Sequence, residues 1–537
     1  MKPLRAFHAS LRLRHPWMIS LAWTAMLALP THAQVAPPAQ PPATRTPAAG
    51  APAATEPEPE LDPTNYRLVE RYSTEVDPKA VKPGEFSQYR VGCRDVIRVM
   101  TEKPQGTPDR IERSIQVIYS ERPVAVNASG IVTDSVRRYE AFRDSASPAA
   151  AIPGASRPLD GLSIWLKSQR NATSSLLSLT PNHSLSEVEY AISRRLVYLP
   201  ELAGILPPTL TRVGQRWRVP RPAARALFGE EPVAGDGLAA MLREVKPAAK
   251  GNEMVALIDV GGSAELGPLR VLYSLNAQIT FTFTKAPSTA AAPVSTPPVV
   301  DGVGAITELR LSRVSNSLVP GGTGRLKSTV TWEMVLQRQT APGASSAPIA
   351  VPTPAPVPTH ANSWIVYNDP KSRFHFRHPQ DLLPLPGLTL DEGVQLYNDS
   401  TNGDDVRRLT IRLQPKTGNP AEDKASTDFD THVRELKDDW QKARRKGKID
   451  KEGPLPEADW AASKMKVYRA EATVKPPLTS DGRVEPPIFF DHYLILFTQP
   501  ESLAVDAITG QTKPEPFRKQ VEEILKTFKL GPYKPAA

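Results

Sequence analysis

Large apolar and polar side chains alternate along much of the chain. Between Gln88 and Met100, Tyr89, Val91, Cys93, Ile97 and Val99 share one side, while Arg90, Arg94 and Arg98 share the other. A period of two with one wet face marks a strand. Similar stretches run through 66–72, 86–100, 111–120 and 130–142, and again through 162–168, 254–258, 269–283, 305–314 and 328–337. They predict one large, curved, antiparallel sheet.

A helical period interrupts this sheet. Ser184 and Ser186 each precede a glutamate by three positions (Glu187 and Glu189), and Val188, Ile192 and Leu196 then recur at helical spacing. Such capping-box signals open a helix, which should stop near Leu199-Pro200. A turn at Val213-Gly214 then feeds Trp217, with Arg216 and Arg218 on the opposite side.

The last third mixes both periods. Strands are expected at 364–367, 374–378, 394–397 and 407–413, with Asn402-Gly403 as a hairpin turn. Phe429, Val433, Leu436 and Trp440 lie on one helical face, and Gly447 marks that helix's expected end. Strands return at 464–472 and 489–498, before a closing helix with Phe517, Val521, Ile524, Leu525 and Phe528 on one face.

Proline divides these regions. The chain has 57 prolines in 537 residues, about double the usual share of roughly 5%. Residues 34–63 are mostly Pro, Ala, Thr and Glu and lack the apolar surface to offset ordering, so they should be disordered. Residues 340–361 form a second such tract, which at about 3.1 Å per residue could hold two domains roughly 60 Å apart. A third, 286–299, is expected to be a mobile loop. The fold class predicted is therefore α+β: a β-rich domain over 64–339 with few helices, and a mixed α/β domain over 362–533.

Residues 1–33 change the picture of where the chain works. A basic start, an apolar run from Trp17 to Leu29, Pro30 and then Thr31-His32-Ala33 follow the order of a secretory signal peptide. The run is about 13 residues, short of the ~20 needed to span a bilayer. The mature chain is expected to be secreted or periplasmic, with no membrane span. The only cysteine, Cys93, lies far from the cleavage point and on a strand's buried side, so neither a lipid anchor, a disulfide nor a reactive thiol is expected. The formal charge of +9 includes Lys2, Arg5, Arg12 and Arg14; removing those four from 66 leaves 62 basic against 57 acidic residues. That excess is too small and too dispersed for a nucleic-acid partner.

Two resemblances follow from particular stretches. The segment "LPPTLTRVGQRWRVP" (206–220) looks like a strand entry found in exported β-rich bacterial proteins of unknown role. A curved sheet covered by a helix is also similar in architecture to LolA-type lipoprotein carriers, in which Leu199–Leu210 would line a cavity. In the last third, "WIVYNDPKSRFHFRHPQDL" at the opening and "FRKQVEEILKTFKL" at the close resemble the PsbP-like superfamily of α/β/α sandwiches. That resemblance implies binding or assembly without a catalytic centre. The stretches 423–453 and 475–485 depart from its minimal pattern.

Candidate chemistry is sparse. Six histidines follow the signal segment: His183, His360, His375, His378, His432 and His492. His375 and His378 fall on opposite faces of one strand and cannot share a metal, and no Cys/His cluster, nucleophile elbow or phosphate loop is present. Gly321-Gly322-Thr323-Gly324 reads as a turn. Asp399, Asn402, Asp404 and Asp405 gather oxygen ligands in one loop, without the EF-hand spacing. Lys442, Arg444, Arg445, Lys446 and Lys448 collect at a helix end, where positive charge complements the macrodipole and could also meet an acidic partner. These readings predict a secreted, non-catalytic binding or adaptor protein without cofactor or metal, which engages an unknown protein partner or an apolar ligand. A lipid or lipoprotein carrier is the first alternative. A hydrolase assembled from distant carboxylates is the second.

Overall fold

In a computed structural model of the chain, residues 64–533 are described except for 71–87, 104–105, 127–131, 146–157, 170–171, 182, 230–231, 235–236, 250–251, 267–270, 286–297, 322–323, 341–347, 385–392, 399–405, 415–418, 443–445, 476–487, 498–501 and 511–512. The expected signal segment, the 34–63 tract, the 286–297 loop and the Asp399–Asp405 cluster therefore lie outside the described residues.

The first half is dominated by one 13-stranded sheet. Its strands in chain order are β1 (Asn65–Glu70), β2 (Tyr89–Thr101), β3 (Asp109–Val126), β4 (Val132–Asp144), β5 (Ser163–Gln169) and β6 (Ala172–Ser178). After a short strand of another sheet, β7 (Leu185–Ser186), come β8 (Arg216–Arg218), β9 (Pro232–Ala234), β10 (Ala239–Pro247), β11 (Glu253–Leu266), β12 (Val271–Lys285), β13 (Val299–Gly321) and β14 (Gly324–Thr340). The main path is β6-β5-β4-β3-β2-β14-β13-β12-β11-β10-β8, with antiparallel neighbours throughout. Among the described residues of this sheet, only β1 runs parallel to its neighbour, β13.

Alternation decides which face is which. In β12, Tyr273, Leu275, Ala277, Ile279, Phe281 and Phe283 are buried, and the residues between them are more open. Inward side chains from Leu176 near one edge to Leu242 near the other share a single core with Ile192, Leu202 and Leu227 of the helical segment. The outer face carries ion pairs across strands, such as Arg98 with Glu112 (2.9 Å) and with Glu333 (2.6 Å). The helix Glu187–Arg195 opens with the capping box at Ser186 and Glu189. Ser184 does not cap it; its Oγ donates to the Ala361 carbonyl at 2.6 Å.

The second half holds a seven-stranded antiparallel sheet. Its members are β17 (Leu382–Pro384), β18 (Val394–Asn398), β19 (Arg407–Gln414), β20 (Lys446–Pro454), β21 (Lys466–Lys475), β22 (Ile488–Leu496) and β23 (Ser502–Thr509), in the order β17-β18-β19-β23-β22-β21-β20. The helix Glu515–Lys526 lays Phe517, Val521 and Ile524 on one face. The helix Phe429–Lys442 covers part of the other, where Trp440 meets Ala472, Val474 and Phe490.

The chain is mostly β, which overturns the α+β class and the C-terminal α/β/α sandwich expected for it. Large antiparallel sheets occupy both halves, and too few helices cover them for that class. Part of the reason is that some strands carry no period-two signal. Lys446–Pro454, expected to contain a helix end, is the edge strand β20; it is polar on both sides, and pairing with β21 outweighs local preference.

The halves are joined by strand pairing. β15 (Ile365–Asn368) runs parallel to β7 and antiparallel to β16 (Phe374–His378), which pairs with β24 (Lys529–Leu530). Within the Pro-rich stretch, Ile349 is buried with Val124, Val136, Trp165 and Leu177. Its amide donates to Gln88 Oε1 (2.9 Å), and its carbonyl accepts from Arg122 Nη1 (3.3 Å). This part of the stretch lies along the first sheet because Ile349 finds an apolar seat there.

Candidate functional site

Three places gather polar side chains where the fold excludes water. The first is the inner face of the large sheet. β4 turns Ser135, Arg137 and Tyr139 inward, and β3 places Pro123, Glu121 and Tyr119 opposite them in register. Arg137 donates through Nε and Nη2 to Glu121 Oε2 at 2.9 and 2.7 Å. Its guanidinium carbon lies 4.1 Å from the Tyr119 ring centroid, a cation–π distance. Burial works against the charge on Arg137, but Tyr119 and Glu121 outweigh it and hold the group protonated. The helical cover adds Ser193, whose Oγ accepts from Tyr139 Oη at 2.9 Å, and Tyr198. Burial pushes the phenols of Tyr119 and Tyr198 upward, so both remain hydroxyls. Arg137 also bonds the Tyr139 hydroxyl, and Tyr198 pairs with the Ser135 hydroxyl, whereas Tyr119 Oη is buried and makes no hydrogen bond.

This site was missed in the sequence because an arginine in an alternating strand is assigned to the wet face. A tyrosine-glutamate pair two residues apart on the preceding strand, Tyr119 and Glu121, is the signal that could have found it. Cys93 sits on the same inner face, and burial pushes its thiol well up, away from reactivity.

The second place is the junction between the halves. Gln380 Oε1 accepts from the Leu176 amide (3.1 Å), while its Nε2 donates to the carbonyls of Leu176 and Ser363. The side-chain amide thus imitates a neighbouring strand on β6, an edge of the large sheet. Tyr190 Oη donates to the Gln380 carbonyl at 3.4 Å. His378 is fully buried here, with Nδ1 3.0 Å from the Pro379 carbonyl and Nε2 3.8 Å from Glu187 Oε1.

The third place lies in the second half. His492 Nδ1 meets Asp506 Oδ1 at 2.7 Å, and the His432 ring stacks on His492 with centroids 5.4 Å apart. Burial, reinforced by His492, depresses the His432 imidazole. Burial pushes Asp506 up, but His492 and Arg412 outweigh it and keep the carboxyl below its usual range. On the opposite face, Arg518 grips Asp491 through two bonds (3.1 and 3.0 Å) and reaches Glu471 (3.2 Å). Among the described residues no group of three or more His, Cys, Asp or Glu could hold a metal.

The basic cluster expected at a helix end is divided. Lys442 closes the helix Phe429–Lys442, 3.5 Å from Asp439. Lys446 and Lys448 are exposed on the edge strand β20, with Lys448 3.2 Å from Asp450. Arg444 and Arg445 lie outside the described residues. His375 and His378 point to opposite faces of β16: His375 is half-buried, with Nδ1 2.9 Å from the Gly531 carbonyl, and His378 is in the interior.

Comparison with known proteins adds partial likenesses. No protein-family model matches the chain, and no curated protein does. A cyanobacterial PsbP from Synechocystis sp. PCC 6803 matches at 14% identity over 34% of this chain and 99% of its own, with a TM-score of 0.23. The Ran-binding protein Mog1p of Saccharomyces cerevisiae matches at 10% identity over 31% and 95%, with a TM-score of 0.22. A LolA superfamily protein from Nitrosomonas europaea matches at 10% identity over 47% and 84%, with a TM-score of 0.12. Both resemblances expected from the sequence, PsbP-like and LolA-type, thus appear among similar solved structures, each over part of the chain and at scores too low to carry an argument.

Proposed function

We propose that this is an exported, non-catalytic binding or adaptor protein that presents its two halves to a partner as one joined unit. The observation that carries this reading is the junction. β15 pairs in parallel with β7, and Gln380 occupies the edge of β6, so surfaces on either half are held in a fixed relation, as an adaptor requires. The groups that usually perform chemistry are committed to structure: Cys93 is sealed in the core, His492 is held by Asp506, and Asp491 is gripped by Arg518.

The exposed edge strand β20, with Lys446, Lys448 and Lys451, is the face proposed for an acidic partner. Lysines on a sheet edge discourage pairing with arbitrary strands, and they favour a partner of opposite charge. Titration of the full chain with a poly-glutamate peptide tests this. Binding should weaken with salt, as expected for exposed charges, and should fall at least tenfold in a K446E/K448E variant. Equal binding by the variant would remove the basic edge from the proposal. Steady turnover of a defined compound, abolished by one polar substitution, would end the non-catalytic reading.

A further inference from the structure

Outward-facing side chains form a row across five neighbouring strands of the large sheet. Arg143 of β4 lies opposite Gln116 of β3, Gln116 opposite Arg94 of β2, Arg94 opposite Val335 of β14, and Val335 opposite Arg310 of β13. Their neighbours along the strands, Phe142, Val117, Cys93, Leu336 and Leu309, belong to the core, so the row faces away from it, and all five members are exposed. Arginine thus recurs on every second strand. We infer that this row is a docking surface for an acidic, proline-rich segment of another protein, bound as a polyproline II helix with a carboxylate at every third residue. The inference goes beyond the adaptor reading and does not rest on it, because the basic edge β20 belongs to the other half.

Charge selects an acidic occupant. Among the described residues, Arg94 and Arg143 have neither a hydrogen bond nor an ion pair. Acids of the same face are engaged elsewhere: Glu140 with Arg90 (2.8 Å), and Glu112 and Glu333 with Arg98. Arg310 meets Glu308 at 2.9 Å, but its side chain is 64% exposed, and an exposed pair of this kind is weak enough to be exchanged for another. The planar guanidinium matches a carboxylate through two parallel bonds.

Spacing selects the conformation. Neighbouring strands stand about 4.8 Å apart, so arginines two strands apart are separated by roughly 9.6 Å. A polyproline II helix advances about 9.3 Å in each three-residue turn, and a carboxylate at every third position meets Arg143, Arg94 and Arg310 in step. A β-strand returns to the same face after about 6.8 Å and falls out of step with the row. Between the arginines, Val335 offers an apolar contact to proline rings, and Gln116 offers an amide to the helix carbonyls, which make no internal hydrogen bonds.

The test uses the full chain and two synthetic peptides of identical composition: (Glu-Pro-Pro)5, and a permuted peptide with its glutamates contiguous. Each is titrated by calorimetry at low ionic strength. The spaced peptide should bind at least tenfold more tightly than the contiguous one, and more weakly as salt is added. R94Q/R143Q removes two exposed charges that have no partner, so it should keep its melting temperature and lose at least tenfold in affinity for the spaced peptide. K446E/K448E should bind that peptide unchanged. Equal affinity for the two peptides would overturn the inference, as would undiminished binding by R94Q/R143Q or a loss confined to K446E/K448E. Phosphatidylglycerol vesicles that bind through Arg94 and Arg143 where the spaced peptide does not would make the row a membrane-facing surface, and would overturn it too.

Discussion

Gly447 and Trp440 allow a sharp test of how the helix Phe429–Lys442 is seated. Trp440 is buried, edge-on to Phe490 with centroids 5.7 Å apart, and it lies directly over Gly447 of β20. A Cβ at position 447 would stand 2.6 Å from Trp440 Cδ2, 2.5 Å from Cζ3 and closer still to Cε3. Carbon atoms settle about 3.5–4.0 Å apart, so the ring would have to move by on the order of 1 Å inside a packed cluster. Overpacking of this kind costs about 1–3 kcal/mol. Restricting the unfolded backbone by Gly→Ala returns about 0.4–1 kcal/mol, which leaves G447A destabilised by roughly 1–2 kcal/mol. W440A alone should lose about 3–5 kcal/mol. In the W440A background the added methyl meets no ring, and G447A should be neutral or mildly stabilising, for a coupling of about 1–3 kcal/mol. Urea unfolding of the four proteins, followed by near-ultraviolet circular dichroism, measures this cycle. Equal destabilisation by G447A in both backgrounds would refute the steric account.

Stability should also respond to pH with two opposed slopes. His432 is depressed on folding, so the unfolded chain takes up its proton first. Its contribution is present above the ordinary value of about 6.5 and is lost as pH falls through the window below it. His183 is raised, chiefly by its bond to Glu189, so its contribution is full below about 6.5 and is lost as pH rises through the folded value. H432N should flatten the acid-side loss and H183N the opposite trend, in unfolding free energies measured between pH 5 and 8; unchanged profiles would remove both groups from the account. Asp506 is depressed, so its share should disappear only below the ordinary carboxylate range, seen as a later acid transition that D506N abolishes. Gln380→Ala strands the Leu176 backbone groups at the junction and should cost about 1–3 kcal/mol. Hydrogen exchange at the Leu176 amide should accelerate, and unaltered protection would show that the side chain does not hold the halves together.

Much of the core was legible along the chain. Period-two alternation located β2 with Cys93 inward, the Ser186/Glu189 box located its helix, and the apolar face of 517–528 located the closing helix. What stayed hidden depends on contacts across long separations. Nothing local distinguishes Gln380 from any exposed glutamine, yet it pairs with Leu176, 204 residues away. Ile349 stands alone in a proline-rich stretch, and only the seat formed by Val124, Val136, Trp165 and Leu177 gives it a role. Arg137 reads as a wet-face residue because the pattern weighs hydropathy, whereas Glu121 and Tyr119 make its burial tolerable. Lys446–Pro454 is polar on both sides, and its strand character comes from β21.

The parallel pairing of β15 with β7 has a consequence for the order of assembly. Residues 185–186 leave the ribosome long before 365–366, so the receiving edge exists as a template before its complement arrives. Until then, the Leu176 amide and carbonyl, which Gln380 later occupies, are open to the same glutamine of a second nascent chain. Any circular permutant that starts within the second half would reverse this schedule and leave that half waiting, unpaired, for its guide.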